Sequence, residues 1–190
     1  LLLGACGVLG RAHVRIFIEH EVKLIIADRP GSTVLEDAKS LGILGLEIDA
    51  SNEDSMVSGI DSASKQFDGL DSAIFNAAIT SEGLAEVGNQ FHAFEEYPLT
   101  LWKKAIDINL TGAFLFAREA GKVLKAGGGG SLINVASLYG VVGPDHRIYD
   151  GQPFQSFPAY SASKAGIIGL TRWLATCWGK DGVRVNCVSP

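Results

Sequence analysis

Tyr160 and Lys164 stand four residues apart in Pro158-Ala159-Tyr160-Ser161-Ala162-Ser163-Lys164-Ala165-Gly166, a run that reads as the opening turns of a helix. Residues at i and i+4 share a helix face, so this spacing sets a phenol beside an ammonium. A nearby positive charge favours the ionised form of a phenol and suits it to give or take a proton at an alcohol or a carbonyl. The same two residue types meet at this spacing by chance in many helices. The meaning of the pair depends on what else the chain supplies.

A second group of residues supplies a phosphate cradle. After the apolar run Leu1–Leu3 comes Gly4-Ala5-Cys6-Gly7-Val8-Leu9-Gly10-Arg11, with a glycine at every third position. Such glycines let the chain turn tightly and let a phosphate approach the backbone, while the helix that follows offers free N–H groups and a partial positive charge. The next apolar run, Leu24-Ile25-Ile26-Ala27-Asp28, ends in a carboxylate, which is the context a dinucleotide site requires. Asp28 can accept from both ribose hydroxyls of an adenosine and repels a 2′-phosphate, so NAD is favoured over NADP. The adjacent Arg29 softens that preference. Three polar residues remain for the same cleft: Asn76 in Phe75-Asn76-Ala77-Ala78, Asn109 inside a long helical stretch, and Ser137 closing Ile133-Asn134-Val135-Ala136-Ser137. An asparagine is a poor mid-helix residue unless it has a task.

The elements that must position these residues alternate. Strands are expected at Leu1–Leu3, Val22–Asp28, Ile43–Ile48, Leu70–Asn76, Ser131–Ala136 and Val183–Val188. Helices are expected at Leu9–His20, Thr33–Leu41, Asn52–Phe67, Thr100–Lys125 and Ala159–Lys180. Strands separated by helices imply right-handed crossovers, hence an α/β Rossmann-type doubly wound parallel sheet with helices on both faces. One domain over residues 1–190 is expected. Gly127–Gly130 reads as a flexible turn. Two long loops, Ile79–Tyr97 and Tyr139–Phe157, leave from the edge where ligands bind in such sheets and are expected to wall the substrate.

Composition narrows the partners. Apolar residues make up 47% of the chain and charged ones 19%, which excludes disorder. A net charge of −5 without a basic run argues against nucleic acid, and no stretch is long enough for a membrane span. Cys6, Cys177 and Cys187 have no metal-ligand spacing; reduced thiols in a cytoplasmic protein, with no metal, are the expectation. The chain opens inside one strand and closes straight after another, which suggests a piece truncated at both ends.

Taken in order, the glycine loop, Asp28, Asp49-Ala50, Asn76-Ala77-Ala78, Asn109, Ser137, Tyr160-x-x-x-Lys164 and Val183-Arg184-Val185-Asn186-Cys187-Val188-Ser189-Pro190 resemble the short-chain dehydrogenase/reductase (SDR) family over the whole chain. The resemblance implies an NAD(P)-dependent oxidoreductase that interconverts an alcohol and a carbonyl. It implies that Tyr160 is the acid/base, that Lys164 assists it and holds the nicotinamide ribose, that Ser137 orients the carbonyl, and that Asn109 holds a relay water. Gly4, Gly7, Leu9 and Gly10 would cradle the pyrophosphate. Asp28 would hold the ribose, Asp49 and Ala50 would flank the adenine, and Asn76, Ala77 and Pro190 would line the cofactor cleft. A homodimer or homotetramer is implied, through Thr100–Lys125 and the helix of Tyr160, as is a C-terminal lid and last strand beyond Pro190. Leu3 stands where the compact branch of the family has a threonine. The glycine spacing and the long gap from Ser137 to Tyr160 are closer to the extended branch of epimerases and dehydratases. The set is most similar to the oxidoreductases called flagellin-modification protein A, which implies a sugar or sugar-phosphate substrate. A nucleotide-sugar epimerase or dehydratase with tightly held NAD is the alternative, and a dinucleotide sensor without turnover a third reading.

Overall fold

Why the chain begins as a strand and turns at once into a helix is visible in its first residues. Leu2–Leu3 (β1) is buried on both sides, as a central strand of a parallel sheet must be, and Gly4 then takes a φ of +90°. The computed structural model describes residues 1–85, 93–152 and 155–190. From Gly4 the chain enters Val8–Glu19 (α1), then Ile25–Asp28 (β2), Val34–Leu41 (α2), Leu44–Glu47 (β3), Glu53–Gln66 (α3) and Ser72–Phe75 (β4). The short helix Ser81–Ala85 (α4) precedes Leu99–Ile106 (α5) and Gly112–Ala126 (α6); Gly130–Val135 (β5), Pro158–Trp178 (α7) and Val183–Val188 (β6) complete the fold.

The six strands are all parallel, in the order β3-β2-β1-β4-β5-β6. The chain therefore winds outward from β1 to β3, returns, and winds the other way from β4. The crevice between the ends of β1 and β4 is the switch point at which such sheets bind ligands. One face of the sheet is covered by α3, α6 and α7, whose buried residues include Met56, Phe116 and Ile167 in a single cluster with Phe75 and Leu132. The Phe75 and Phe116 rings meet at 5.6 Å. The other face carries α1 and α2 through a smaller cluster of Leu2, Ile26, Val34 and Ala38. On β6, Val183 and Val185 are buried while Arg184 and Asn186 are exposed, the period-2 pattern of a strand covered on one side.

The sequence expectation differs from the structure in three places. The strand at Val22–Asp28 starts only at Ile25, because Glu21 takes a φ of +54° and Val22 N–H closes back onto the Phe17 carbonyl to end α1. The single helix expected over Thr100–Lys125 is two helices joined by a π turn at Asp107–Thr111, where Gly112 N–H reaches back to the Asp107 carbonyl. In the glycine run 127–130, expected as a flexible turn, Gly129 and Gly130 are closely confined while Gly127 and Gly128 have open surroundings. Gly128, Gly129 and Gly130 have φ of +87°, +131° and +153°, and a Cβ on Gly129 would lie 2.6 Å from the Gly182 carbonyl oxygen. Of the two long loops, residues 86–92 and 153–154 lie outside the described residues. No helix among the described residues is long and apolar enough to cross a membrane.

Candidate active site

The crevice is built first from backbone. A Cβ on Gly4 would lie 2.5 Å from the Ala77 nitrogen, so the ends of β1 and β4 close up only over a glycine. Asn76 fastens the same junction: its backbone N–H donates to the Leu3 carbonyl at 2.9 Å and its Nδ2 to the Gly4 carbonyl at 2.7 Å. Gly10 is required because a Cβ there would sit 2.1 Å from the Gly4 oxygen. Gly7 is different. Among the described residues a Cβ on it would meet only the Gly4 oxygen, at 4.0 Å, so none of them forces a glycine there. Its open side adjoins the first turn of α1, where Val8 and Leu9 are exposed and the N–H groups have no intrahelical acceptor.

Asp28 comes from the end of β2 into this loop. Its Oδ2 accepts from Cys6 N–H at 2.7 Å and its Oδ1 from Arg29 N–H at 2.8 Å. Asp49 spends Oδ1 on the backbone and hydroxyl of Ser51, at 2.9 and 2.7 Å. Ala50 packs under Gly112, where a Cβ would come within 2.8 Å of the Ala50 oxygen. Burial pushes the Cys6 thiol pKa up, and hydrogen bonding with Thr33 only partly offsets this.

The second half of the site lies on β5, α7 and the π turn. Lys164 is 2% exposed, and its Nζ donates to the Val135 carbonyl at 2.7 Å. Burial lowers its pKa to about 8. The same Nζ stands 5.6 Å from the centre of the Tyr160 ring, and that ring meets Phe157 edge-on at 5.7 Å. Ser137, two residues past Val135, is buried and accepts at Oγ from Tyr139 N–H at 3.2 Å, which starts the 3₁₀ turn Leu138–Gly140. Leu138 N–H donates to the Pro190 carbonyl at 2.8 Å, so Pro190 lies beside Ser137.

Asn109, fully buried, uses its amide on three partners. Oδ1 accepts from Ile79 N–H at 2.7 Å, and Nδ2 donates to the Ile79 carbonyl at 3.3 Å and to Ser163 Oγ at 3.2 Å. Ser163 Oγ in turn donates to the Tyr160 carbonyl at 2.8 Å. A π turn displaces the helical ladder by one residue and recurs at functional positions. Sequence reasoning missed Ser163, which joins the π turn to the first turn of α7. It also missed Gly140, where a Cβ would lie 2.7 Å from the Lys164 carbonyl carbon. A glycine three positions after Ser137 was the one available signal for that close approach.

Gly4, Gly7, Asp28, Asn76 and Ala77 thus follow or close the ends of β1, β2 and β4, and Leu9 and Gly10 stand in the first turn of α1. Lys164 is tied to Val135 and stands over the Tyr160 ring, Asn109 reaches the Tyr160 carbonyl through Ser163, and Ser137 follows Val135 by two residues with its side chain bonded to Tyr139 N–H. Asp49 and Ala50 stand just past β3: Asp49 bonds to Ser51, Asn52 and Ser55, and Ala50 is buried in the larger core beneath Gly112.

This arrangement, a switch-point crevice with a glycine-lined wall and a buried lysine beside a tyrosine, has close counterparts. The chain belongs to the short chain dehydrogenase family, whose sequence profile matches residues 1–190. It is similar to an uncharacterized short-chain type dehydrogenase/reductase of Sinorhizobium fredii, 36% identical over 192 aligned residues that take in all of this chain and 31% of the relative. It is 31% identical to mitochondrial borneol dehydrogenase of Lavandula x intermedia, over all of this chain and 67% of that protein. Among solved structures, levodione reductase superposes over the whole chain and 69% of its own length with a TM-score of 0.84 at 25% identity. The chain thus spans under a third of the first relative and about two thirds of the other two.

Proposed function

We propose that this chain forms the dinucleotide-binding and proton-transfer part of an oxidoreductase that interconverts a secondary alcohol and a ketone. The observation that carries the reading is Lys164: an ammonium 2% exposed, tied to the Val135 carbonyl and standing over the Tyr160 ring beside the dinucleotide-type crevice. Burying a charge is costly, and such groups collect at functional sites.

The crevice fits a nicotinamide dinucleotide. Gly7 leaves space that no described residue fills, the first-turn N–H groups of α1 suit a pyrophosphate, and Asp28 suits a ribose diol. Asp28 favours NAD over NADP in this reading. Bound there, the nicotinamide supplies hydride exchange at the reacting carbon. The chain's own residues handle the oxygen. Tyr160 gives its proton to the carbonyl oxygen in reduction and takes it back in oxidation. Ser137 donates a hydrogen bond to the same oxygen. Lys164, with one N–H on Val135, has two left for ribose hydroxyls and holds positive charge near the phenol. Asn109 acts by position, since its side-chain amide is committed to Ile79 and Ser163.

The substrate we infer is an apolar cyclic alcohol or ketone. Leu138, Val141 and Val142, on the loop that leaves Ser137, are half or more exposed, which suits an apolar ligand better than a sugar. The names of the borneol and levodione relatives support that class, and nothing in them supports the sugar or flagellin-modification expectation. Exposed Phe114 on α6 and Trp173 on α7 support pairing of two copies through these helices; a monomer in sedimentation would remove that element.

The test is Tyr160→Phe in the full-length protein, assayed against a panel of alicyclic ketones and sugars. Turnover should fall by about 10²–10⁴, the usual contribution of a general acid/base, while NADH still quenches or enhances fluorescence at the wild-type midpoint. Retained turnover defeats the assignment, and activity confined to sugars defeats the substrate class.

A further inference from the structure

The outer side of the glycine loop carries a set of contacts that the reading above does not use. Arg11, the residue after Gly10, reaches back over the loop: its Nε donates to the Cys6 carbonyl at 3.0 Å. Its terminal nitrogen donates to Thr33 Oγ1 at 2.9 Å and lies 3.2 Å from Asp37 Oδ2. Thr33 Oγ1 donates to that same Oδ2 at 2.8 Å, and the Cys6 thiol faces it at 3.8 Å. One guanidinium therefore bridges the loop to the first turn of α2, and α2 is anchored in the smaller core by Val34 and Ala38.

We propose that Arg11 is a positioning residue for the dinucleotide: by holding the Cys6 carbonyl outward it aims the Gly7 N–H into the crevice. The argument is one of peptide geometry. Among the described residues every peptide bond is trans, and in a planar trans unit the C=O and the following N–H point in opposite directions. Fixing the Cys6 oxygen on Arg11 thus fixes the Gly7 N–H on the opposite side. Sterics do not do this job, because Gly7 is the loop glycine without close neighbours. Nor does a side chain from β1, where Leu3 is buried and offers no hydrogen bond. Asp28 sets the preceding peptide by accepting from Cys6 N–H at 2.7 Å. The two contacts together determine both peptide planes that flank Cys6, one from the crevice side and one from outside.

The inference rests on the dinucleotide reading above, and the experiment separates the two. NADH binding to full-length protein is titrated by fluorescence for wild type, Arg11→Ala, Arg11→Lys and Asp37→Asn, with thermal unfolding of each without ligand and steady-state kinetics in parallel. Arg11→Ala should weaken NADH binding by about tenfold, the scale of one charge-assisted hydrogen bond. Its KM for the dinucleotide should rise in step, with kcat changed far less. Arg11→Lys, which keeps the charge but not the fork, should recover part of the loss, and Asp37→Asn should lose less than Arg11→Ala. Wild type that fails to bind NADH overturns the dinucleotide reading. Wild type that binds, with Arg11→Ala binding equally well, overturns the role of Arg11 alone. A fall in kcat and unfolding temperature matching the loss of binding, with no recovery in Arg11→Lys, makes Arg11 a fold contact and also overturns it.

Discussion

The two halves of the crevice are built from different materials. At the ends of β1 and β2 the wall is main chain: Gly4 and Gly10 have no room for a side chain, and the polar side chains there, Asp28 and Arg11, bind backbone atoms of the loop. At the ends of β5 and the start of α7 the wall is side chain, with Lys164, Asn109 and Ser163 buried and bonded across three elements. The first half is shaped by what cannot fit. The second is held by polar groups that would be costly to leave unpaired. A backbone cradle suits a ligand whose phosphates need N–H groups in fixed directions. Proton transfer instead needs ionisable side chains whose charge depends on their surroundings.

The contrast can be broken most forcefully at Lys164. Unfolded, a lysine keeps its proton up to about 10.5; folded, Lys164 releases it near 8. Between these values the unfolded state binds more protons, so this group's contribution to stability rises with pH. Its burial penalty is fully present below pH 8 and gone above 10.5. Relative to Lys164→Met, which cannot titrate, wild type should gain about 3 kcal/mol in chemical denaturation across that window. A flat difference would mean that the ammonium is better solvated than its burial implies.

Asn109→Ala is the next largest effect. It strands the Ile79 N–H and carbonyl and removes a donor from Ser163, so a loss of about 2–3 kcal/mol in unfolding free energy is expected. Urea titration measures it, and a loss below half that value would show that water replaces the amide. The smallest effect sharpens the comparison from the other side. Gly10→Ala forces a Cβ onto the Gly4 oxygen and should cost about 1–3 kcal/mol, whereas Gly7→Ala should change stability by less than about 0.5 kcal/mol while weakening NADH binding. Equal destabilisation by the two variants would erase the distinction drawn between these glycines.

The same contrast explains what could be read from the sequence. Strand and helix order, the parallel sheet and the cradle were legible, because apolar alternation and glycine spacing are local signals of steric needs. Tyr160, Lys164, Ser137 and Asn109 were legible as types at positions. Their partners were not. Lys164 binds a main-chain carbonyl, which no residue type announces, and Asn109 binds the backbone of Ile79, thirty positions away. Ser163 reads as an ordinary helix residue. Gly129 and Gly130 looked like slack because sequence shows their freedom but not the Gly182 and Asp71 backbones that confine them.

The π turn at Asp107–Thr111 also acts as a change of phase. Each helical residue advances about 100° around the axis, so one residue inserted into a helix rotates everything after it by that amount. Before the turn, Ala105 faces a small cluster with Leu84, Phe157 and Ala159; after it, Ala113, Phe116 and Ala120 face the sheet. One rod thus addresses two surfaces that no uninterrupted helix of this sequence could face together. Deleting a single residue there would let the two halves run on as one α-helix, with each still facing its present neighbours.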